Sequence, residues 1–332
     1  MKHITILVPH GQGDLSTVAC IAGACEVLAE ANQFWKKKGK RETHKIELAG
    51  IPGKVNYYGD TFILQPQVDI AAIPQTNLII VPSSSIRHYE QAGKGNRLLI
   101  DWIEQQYKKG AEVASMCSGA FMLASTGLLN GRTCSTHWAH ADSFRDLFPK
   151  VNLKEDRLIT DEHGIYTNGG AYSFLNLMIY LVEKYYDRET AIYCSKVLQV
   201  EIDRQSQSSF AIFSTQKSHD DEVIKKAQAY IESNLAEKIS IEDLSSRFAI
   251  GRRHFDRRFV KATGNTPNEY AQRVKIESAK KALETTRKNV TEVMYDVGYS
   301  DTKAFRELFR KMTGMSPLEY RGKYNKEAAP TG

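Results

Sequence analysis

The segment HFDRRFVKATGNTPNEYA at residues 254–271 recurs fifty residues later as AFRELFRKMTGMSPLEYR at residues 304–321. Eight of the eighteen aligned positions are identical, including both phenylalanines, the Thr-Gly pair, the proline and the tyrosine. Self-similarity at a fixed spacing is typical of a duplicated supersecondary unit. The C-terminal part of the chain is therefore predicted to contain two copies of one helical unit.

Each copy is predicted to form a helix, a tight turn and a second helix. In the first copy, Leu244 and Phe248 lie on the apolar stripe of one helix, residues 249–251 form the turn, and Phe255 and Phe259 continue the stripe on the next helix. The second copy repeats this pattern. A helix that buries one face leaves the other free, and in a helix-turn-helix unit that free face enters the major groove of DNA.

The starts of three helices are marked by capping residues. Ser240, Thr266 and Ser316 each stand three positions before an acidic residue, which is the spacing of a capping box. In the second and third cases a proline follows directly, and a proline is favourable at the first helical position. These signals predict helices that begin near residues 241, 267 and 317.

The free faces of the two predicted recognition helices are polar and mostly basic. Arginine and lysine side chains contact guanine or phosphate, whereas carboxylates accept from cytosine. The candidate DNA-binding residues are Arg252, Arg253, Asp256 and Arg257 on the first helix, and Thr302, Lys303, Arg306, Arg310 and Lys311 on the second.

The charge distribution agrees with a nucleic-acid partner for the C-terminal region. Residues 1–214 hold 22 basic and 22 acidic side chains, whereas residues 215–332 hold 23 and 17, so the whole net charge of +6 lies in the last third. With 42% hydrophobic and 25% charged residues the composition is that of a globular protein. There is no long apolar run and no secretion signal, so no membrane span and a cytoplasmic location are expected. Five cysteines without a CxxC pair predict neither a disulfide framework nor a metal site.

On the motifs of the second copy the chain resembles the AraC/XylS family of transcription regulators, over residues Glu222–Lys323. The resemblance implies that a long connecting helix, near Pro267–Glu284, lets the two recognition helices enter successive major grooves on one face of DNA. The matching residues are Gly298-Tyr299, Phe305, Phe309-Arg310-Lys311 and Gly314-Met-Ser-Pro-Leu-Glu-Tyr-Arg321.

One position departs from the family pattern. Members often have an arginine two residues after the first phenylalanine of the recognition helix, which is Arg257 in the first copy but Glu307 in the second. Two alternatives remain open at this point. The second motif either reads a different base, such as cytosine through its N4 group, or relies mainly on phosphate contacts.

The N-terminal half alternates between short apolar runs and helical patterns. Strand-sized runs at 4–8, 46–51, 78–81 and 111–116 are separated by helical patterns at 19–31, 96–109 and 119–125. Such alternation predicts βαβ units and a parallel sheet, with ligands at the carboxyl ends of the strands. The predicted fold class is α/β, with a flavodoxin-like parallel-sheet N-terminal domain and an all-α C-terminal domain that holds two helix-turn-helix motifs.

Cys117 stands between a predicted strand and a predicted helix, in Ala114-Ser-Met-Cys-Ser-Gly-Ala120. A thiol at a helix start is expected to have a lowered pKa. Together with Thr136-His137-Trp138 and Asn168-Gly169-Gly170, this segment resembles the DJ-one/PfpI-like domain of the class I glutamine amidotransferase-like fold, in the GlxA type that is joined to an AraC-type domain. The resemblance covers roughly residues 3–195.

The resemblance implies a site around the cysteine. Enzymes of this superfamily use an acidic residue from the first helix region, but that position here is Cys20. Cys117 is thus a buried structural thiol, an effector-pocket residue or a nucleophile, and His137 either orients the pocket or acts as a base. No active catalytic residue is expected, and Cys117 and His137 are the vestigial catalytic candidates. The predicted pocket residues are Cys20, Cys117, Ser118, His137 and Asn168.

These observations predict a DNA-binding transcription regulator controlled by a small-molecule effector. The predicted domains are a sensing domain at 1–195, a linker at 196–221 and a DNA-binding domain at 222–326. DNA, a small molecule, a second copy of the chain and RNA polymerase are the expected partners, and no cofactor is expected. The alternative is a PfpI-type cysteine-dependent amidase or hydratase with an attached DNA-binding domain.

Overall fold

The computed structural model describes residues 1–10, 13–40, 43–84, 94–217, 219–237 and 239–325. The chain divides into two compact units, Met1–Gln207 and Ser208–Gly332. The first is an α/β unit and the second is helical.

The first unit is built on a seven-stranded sheet. Its described strands are β1 (His3–Leu7), β2 (Lys45–Gly50), β3 (Val55–Tyr57), β4 (Phe62–Leu64), β5 (Val68–Asp69), β6 (Leu78–Val81), β7 (Glu112–Met116), β8 (Thr133–Cys134), β9 (Asn152–Leu153), β10 (Ile159–Glu162) and β11 (Ile165–Asn168). The main sheet has the order β10-β11-β7-β6-β1-β2-β5, and β3-β4 and β8-β9 form small separate pairs.

The central strands have flavodoxin-like order. The strands β2, β1, β6, β7 and β11 are parallel neighbours, so in chain order they run second, first, third, fourth, fifth. Only β10 is antiparallel to its neighbour in the main sheet, and it turns into β11 at His163-Gly164. Both turn residues have positive φ, 53° and 75°, as a two-residue hairpin requires. The predicted fold class is confirmed.

Helices cover both faces of this sheet. They are α1 (Leu15–Lys37), α2 (Lys94–Lys108), α3 (Gly119–Ser125), α4 (Ala141–Leu147), α5 (Phe174–Tyr185) and α6 (Arg188–Val197). Residues of α1, α5 and α6 pack on one face of the strands, and residues of α2, α3 and α4 pack on the other. Among the described helices, α1 alone has the length and composition of a membrane span. Its buried residues Ile21, Ala24 and Leu28 belong to the core beneath the sheet, so it is accounted for as a core helix.

The second unit is wholly helical in its described part. Its helices are α7 (Glu222–Ser233), α8 (Ile241–Arg247), α9 (Arg252–Thr263), α10 (Pro267–Thr285), α11 (Val290–Asp296), α12 (Thr302–Thr313) and α13 (Pro317–Tyr324). Two separate cores form. One gathers side chains from α7 to α10 and the other gathers side chains from α10 to α13. Helix α10 contributes to both cores, so it connects the two motifs.

The sequence repeat is also a structural repeat. Phe255 and Phe259 lie 5.7 Å apart between ring centroids, and Phe305 and Phe309 lie 5.9 Å apart at the same interplanar angle of 52°. A tyrosine packs edge-on against the second phenylalanine at 5.4 Å in both copies. The buried tyrosine hydroxyls donate to equivalent carboxylates, from Tyr270 to Glu232 and from Tyr320 to Glu284.

The two motifs differ by one residue in the turn. The first helices α8 and α11 begin 49 residues apart, whereas the recognition helices α9 and α12 begin 50 apart. The second residue after each first helix, Ala249 or Gly298, takes positive φ, 52° and 72°. A Cβ at Gly298 would lie 2.6 Å from the Ala236 carbonyl oxygen, so glycine is required there for space as well as for conformation.

The helix caps agree with the predictions in two cases of three. Thr266 with Glu269, and Ser316 with Glu319, form complete capping boxes. At the third start the Ser240 hydroxyl accepts from the Asp243 amide, but the shorter aspartate side chain does not return the bond, so the predicted box is half formed. A further box, Asn289 with Glu292, was not predicted from the sequence.

The segment predicted as a linker, 196–221, is held by packing and hydrogen bonds on both sides of the division between the units. The Leu158 amide donates to Gln205 O, and the Gln207 amide donates to Asp156 O, within the first unit. Within the second, Lys280 donates to Ala211 O and the Phe213 amide donates to Glu277. The polar composition of this segment reflects hydrogen-bonded backbone rather than a free connection.

Candidate nucleic-acid interface and cysteine site

The first recognition helix, α9, presents two uncommitted arginines. Arg253 and Arg257 are exposed and form no ion pair with any described residue. They are four residues apart, so they project from the same side of the helix. Phe255 and Phe259 project into the core and hold the helix in place. The basic face is thus positioned by the apolar one.

The other arginines of α9 have protein partners. Arg252 pairs with Asp256 on its own helix, with 2.9 Å between Nε and Oδ2, and also with Glu242 of α8. Arg258 makes two hydrogen bonds, of 2.9 and 2.7 Å, to the carboxylate of Asp221, the cap of α7. Arg252 and Asp256 therefore largely neutralise each other, and Arg258 connects α9 to the rest of its motif.

The second recognition helix, α12, carries its candidate residues on the surface. All five are exposed, and Asp301 caps the helix by accepting from the amides of Lys303 and Ala304. Lys303 Nζ lies 4.0 Å from Glu307 Oε1, and both side chains are largely exposed. Arg310 and Lys311 lie in the last turn, about two turns away from the helix start that a major groove would receive.

In the first unit, Cys117 occupies a sharp bend between β7 and α3. Its φ is 54°, a left-handed conformation that is strained for a residue with a Cβ. The bend is held from two sides. The Cys117 amide donates to Asn168 O at 3.1 Å, and the Thr136 hydroxyl donates to Cys117 O at 3.0 Å. Cys117 itself is 5% exposed.

A chain of serine hydroxyls lies beside this bend. The Ser118 hydroxyl donates to Ser84 O at 2.7 Å, and the Ser83 and Ser118 hydroxyl oxygens are 2.8 Å apart. Ser16 at the start of α1 is 3.2 Å from Ser83 and completes the chain. Sequence reasoning identified Ser118 but missed Ser83 and Ser84. Their signal was the polar run directly after the buried strand β6, at the edge where ligands bind in parallel sheets.

The pKa prediction for Cys117 was wrong. Burial raises the pKa of the Cys117 thiol above its usual value, and hydrogen bonds from Ser118 and Ser83 offset only part of this effect. Desolvation of the thiolate outweighs the partial charge of α3, which is only seven residues long. Cys20 on α1 is close enough to Cys117 to interact electrostatically, and burial raises its own pKa to about 12.

His137 is a neutral, half-buried ring beside the same segment. Burial lowers the pKa of His137 to about 4, with a smaller contribution from the nearby His140. Nδ1 accepts from the Ala139 amide at 3.1 Å, so the neutral ring carries its proton on Nε2. The pKa of His140 is also lowered by burial and is raised in part by Asp14.

Asn168 ends β11 next to the bend. Its amide nitrogen donates to Leu158 O at 3.1 Å and to Ser173 O at 3.2 Å. Its Oδ1 is buried and has no hydrogen-bond partner among the described residues, a costly state for a polar atom. No cluster of metal-ligating side chains occurs in the described part of the chain.

Both units match known families. Residues 244–323 match a helix-turn-helix domain, and residues 86–184 match the DJ-1/PfpI family. The chain therefore consists of an AraC-type helix-turn-helix domain joined to a DJ-1/PfpI domain, and it is a DNA-binding transcription regulator of bacterial type.

Curated relatives share this architecture. The helix-turn-helix transcriptional regulator GbdR of Pseudomonas aeruginosa is 24% identical over 314 residues, which span 93% of this chain and 82% of GbdR. The regulator GlxA of Rhizobium meliloti is 25% identical over 213 residues, 63% of this chain and 64% of GlxA. A crystal structure of a candidate transcriptional regulator from Vibrio parahaemolyticus matches 59% of this chain and 98% of its own, with a TM-score of 0.52 and 24% identity, and shows the same fold.

Proposed function

We propose that this regulator binds a small-molecule effector at the bend around Cys117 and reads promoter DNA with α9 and α12. The observation that carries the effector site is the backbone of Cys117, held at φ 54° between two strand ends and lined by hydroxyl groups. Strained backbone persists where the surroundings hold it in place, and such positions cluster at ligand and active sites.

On α9 the DNA contacts are assigned by which side chains are uncommitted, and on α12 they are assigned by position along the helix. Arg253 and Arg257 supply base contacts from α9, whereas Arg252 and Asp256 mainly fix the start of that helix. On α12, Thr302, Lys303 and Arg306 lie toward the helix start and contact the groove. Arg310 and Lys311, near its end, contact phosphates.

The polar groups beside Cys117 support binding of a neutral, hydrogen-bonding ligand or ligand portion. Ser83, Ser118 and the thiol of Cys20 are uncharged, and Asn168 Oδ1 offers an acceptor that no described residue uses. An effector that donates a hydrogen bond to Asn168 Oδ1 would gain an interaction and relieve a buried unpaired atom.

The same groups argue for binding rather than catalysis. The raised pKa of Cys117 leaves little thiolate at neutral pH, and Cys20 stands where the superfamily's enzymes carry an acid. His137 Nδ1 is occupied by a backbone amide, which leaves Nε2–H as a donor rather than a base. We therefore infer that the domain is a sensor without amidase or hydratase activity.

Control of DNA binding requires a connection between the units, and Gln207 supports one. Its Nε2 donates to Thr136 O at 2.8 Å and its Oε1 accepts from the Trp138 amide at 3.2 Å. Thr136 in turn bonds the Cys117 carbonyl. The next residues along the chain, from Ser208, belong to the second unit. A ligand that shifts the 135–138 segment would thus act on the residue directly before the DNA-binding unit.

The assembly we propose is a cytoplasmic homodimer formed through the first unit, which recruits or blocks RNA polymerase at the promoter. Two-fold symmetry is usual for regulators because it doubles the DNA contacts. Light scattering at micromolar concentration should give twice the chain mass. A monomer, with and without DNA, would exclude this assembly.

A thermal-shift screen of a metabolite library against the full chain tests the effector site. A ligand that binds only the folded state raises the melting temperature. A hit should lose its effect in Cys117→Ser or Asn168→Ala and keep it in Cys25→Ser, which changes a half-buried cysteine elsewhere on α1. Hits that still raise the melting temperature of both the Cys117→Ser and the Asn168→Ala variants would show that the effector binds elsewhere.

A further inference from the structure

The two recognition helices carry opposite charges at one equivalent position. Arg257 stands midway between Phe255 and Phe259, and Glu307 stands midway between Phe305 and Phe309. Because the two phenylalanine pairs are buried with nearly identical geometry, residues 257 and 307 occupy the same place on their helices. Both are exposed on the side away from the core.

The ion pairs within α9 and α12 involve different positions of the two helices. On α9 the ion pair within the helix is Arg252–Asp256, which leaves Arg253 and Arg257 without ionic partners among the described residues. On α12 the pair within the helix is Lys303–Glu307, one position further along, and it leaves Arg306 unpaired in the described structure. At the two positions that face the groove, the first motif therefore has two cations and the second has a cation beside an anion.

We propose that Glu307 is a specificity-determining residue that selects cytosine, and that it does so at the position where Arg257 selects guanine in the neighbouring groove. The inference rests on the proposed DNA contacts of α9 and α12. Because the two motifs would select different bases, this assignment also defines which half of the DNA site each motif binds.

The selectivity follows from the groups exposed in the major groove. A carboxylate only accepts hydrogen bonds, and the donors available there are cytosine N4 and adenine N6. Adenine presents the acceptor N7 beside its amino group, which repels a carboxylate, so cytosine is favoured. Lys303, 4.0 Å away, offsets the repulsion between Glu307 and the phosphates.

In vitro selection from a random duplex library, with the full chain, tests this assignment. The wild type should recover, for each bound subunit, two blocks about ten base pairs apart, with a fixed cytosine in one of them. Glu307→Gln should replace that cytosine by adenine, because a glutamine pairs with adenine N6 and N7. Glu307→Arg, which places the residue of α9 at this position, should replace it by guanine.

Titrations give the size of the effect. The discrimination for cytosine over the other bases should fall roughly five- to hundredfold in Glu307→Gln. The matched control is Glu222→Gln, which removes the same charge from α7, where the side chain is 71% exposed and pairs with Lys225. It should leave the selected sequence unchanged.

The outcomes distinguish failure of the Glu307 proposal from failure of the proposed DNA contacts as a whole. If the wild type selects a two-block sequence and Glu307→Gln and Glu307→Arg select the same one, Glu307 does not read a base and the proposal is overturned, while the DNA-binding assignment stands. If the wild type selects no sequence, the proposed contacts of both helices are wrong and this inference is wrong with them.

Discussion

At the scale of single residues, ion pairing decides which arginines of α9 can read DNA. Arg252 and Arg258 are committed to carboxylates, whereas Arg253 and Arg257 are not. The sequence predicted Arg252, Arg253 and Arg257 together as DNA-binding candidates. It did not separate Arg252 from the other two, because its partner Glu242 lies on another helix, 10 residues away.

Arg253→Ala and Arg257→Ala should each weaken specific DNA binding by about 1–3 kcal/mol, since each removes a base contact, and should leave the melting temperature unchanged. Arg258→Ala is the matched control. It should lower stability modestly through loss of the Asp221 ion pair but retain base preference. Electrophoretic titrations with specific and random duplexes measure both quantities. Unaltered affinity of the Arg253 and Arg257 variants for both duplexes would show that α9 does not lie in the major groove.

His137 makes the first unit sensitive to acid. Its pKa is about 4 in the folded chain, below the ordinary value of roughly 6.5 expected on unfolding. As the pH falls through this window the unfolded chain takes up a proton that the folded chain does not, so stability decreases. His140, whose pKa is also lowered by burial, acts in the same direction.

His137→Gln should therefore flatten the decline of melting temperature between pH 6.5 and pH 4 in calorimetric scans. His163→Asn changes an exposed turn histidine while retaining its left-handed backbone, and it should follow the wild-type profile. A His137 variant with the same pH profile as the wild type would show that the ring is protonated alike in both states.

At the scale of elements, the repeat and the parallel α/β sheet were predicted from the sequence, whereas the bounds of several elements were not. The run 119–125 was predicted as a helix with its observed ends, because Cys117 and Gly127 bracket it. Helix α1 extends from residue 15 to residue 37, beyond the predicted 19–31, because its last turns pack Trp35 against Tyr186. Contacts of that kind join distant parts of the chain and leave no local signal.

Gly298 and Gly314 distinguish the two costs of adding a Cβ after a helix, which are steric clash and an unfavourable positive φ. Gly298→Ala should be strongly destabilising, because its Cβ would meet the Leu235 and Ala236 carbonyls at 2.7 and 2.6 Å in addition to the cost of positive φ. Gly314→Ala is the matched control with φ 77° and nothing within 4 Å, and it should cost only about 1 kcal/mol. Urea unfolding of the two variants measures the difference. Equal urea midpoints for the two variants would mean that the backbone of the turn at Gly298 moves to accommodate the added Cβ.

At the scale of the whole molecule, the connection between the units offers the least predictable feature. The sequence predicted a linker over residues 196–221, and within that segment Gln207 is buried and bonded to the segment beside Cys117. A composition reveals which residues are polar. It does not reveal whether the fold supplies partners for them.

Gln207→Ala should raise amide hydrogen exchange in the 134–139 segment of the full chain, because it leaves the Trp138 amide and the Thr136 carbonyl without this partner. Gln205→Ala, at an exposed side chain two residues earlier, is the control and should match the wild type. Unchanged exchange in the Gln207 variant would refute the proposed coupling through this residue.

The tandem arrangement on DNA is the central claim, and a hydroxyl-radical footprint of the full chain on a selected duplex tests it most directly. Helix α10 spans 19 residues, about 28 Å, which is comparable to one turn of DNA. For each bound subunit the account predicts two protected blocks about ten base pairs apart on one face of the duplex, absent from a random duplex at the same salt concentration. A single protected block, or equal protection of the random duplex, would contradict it.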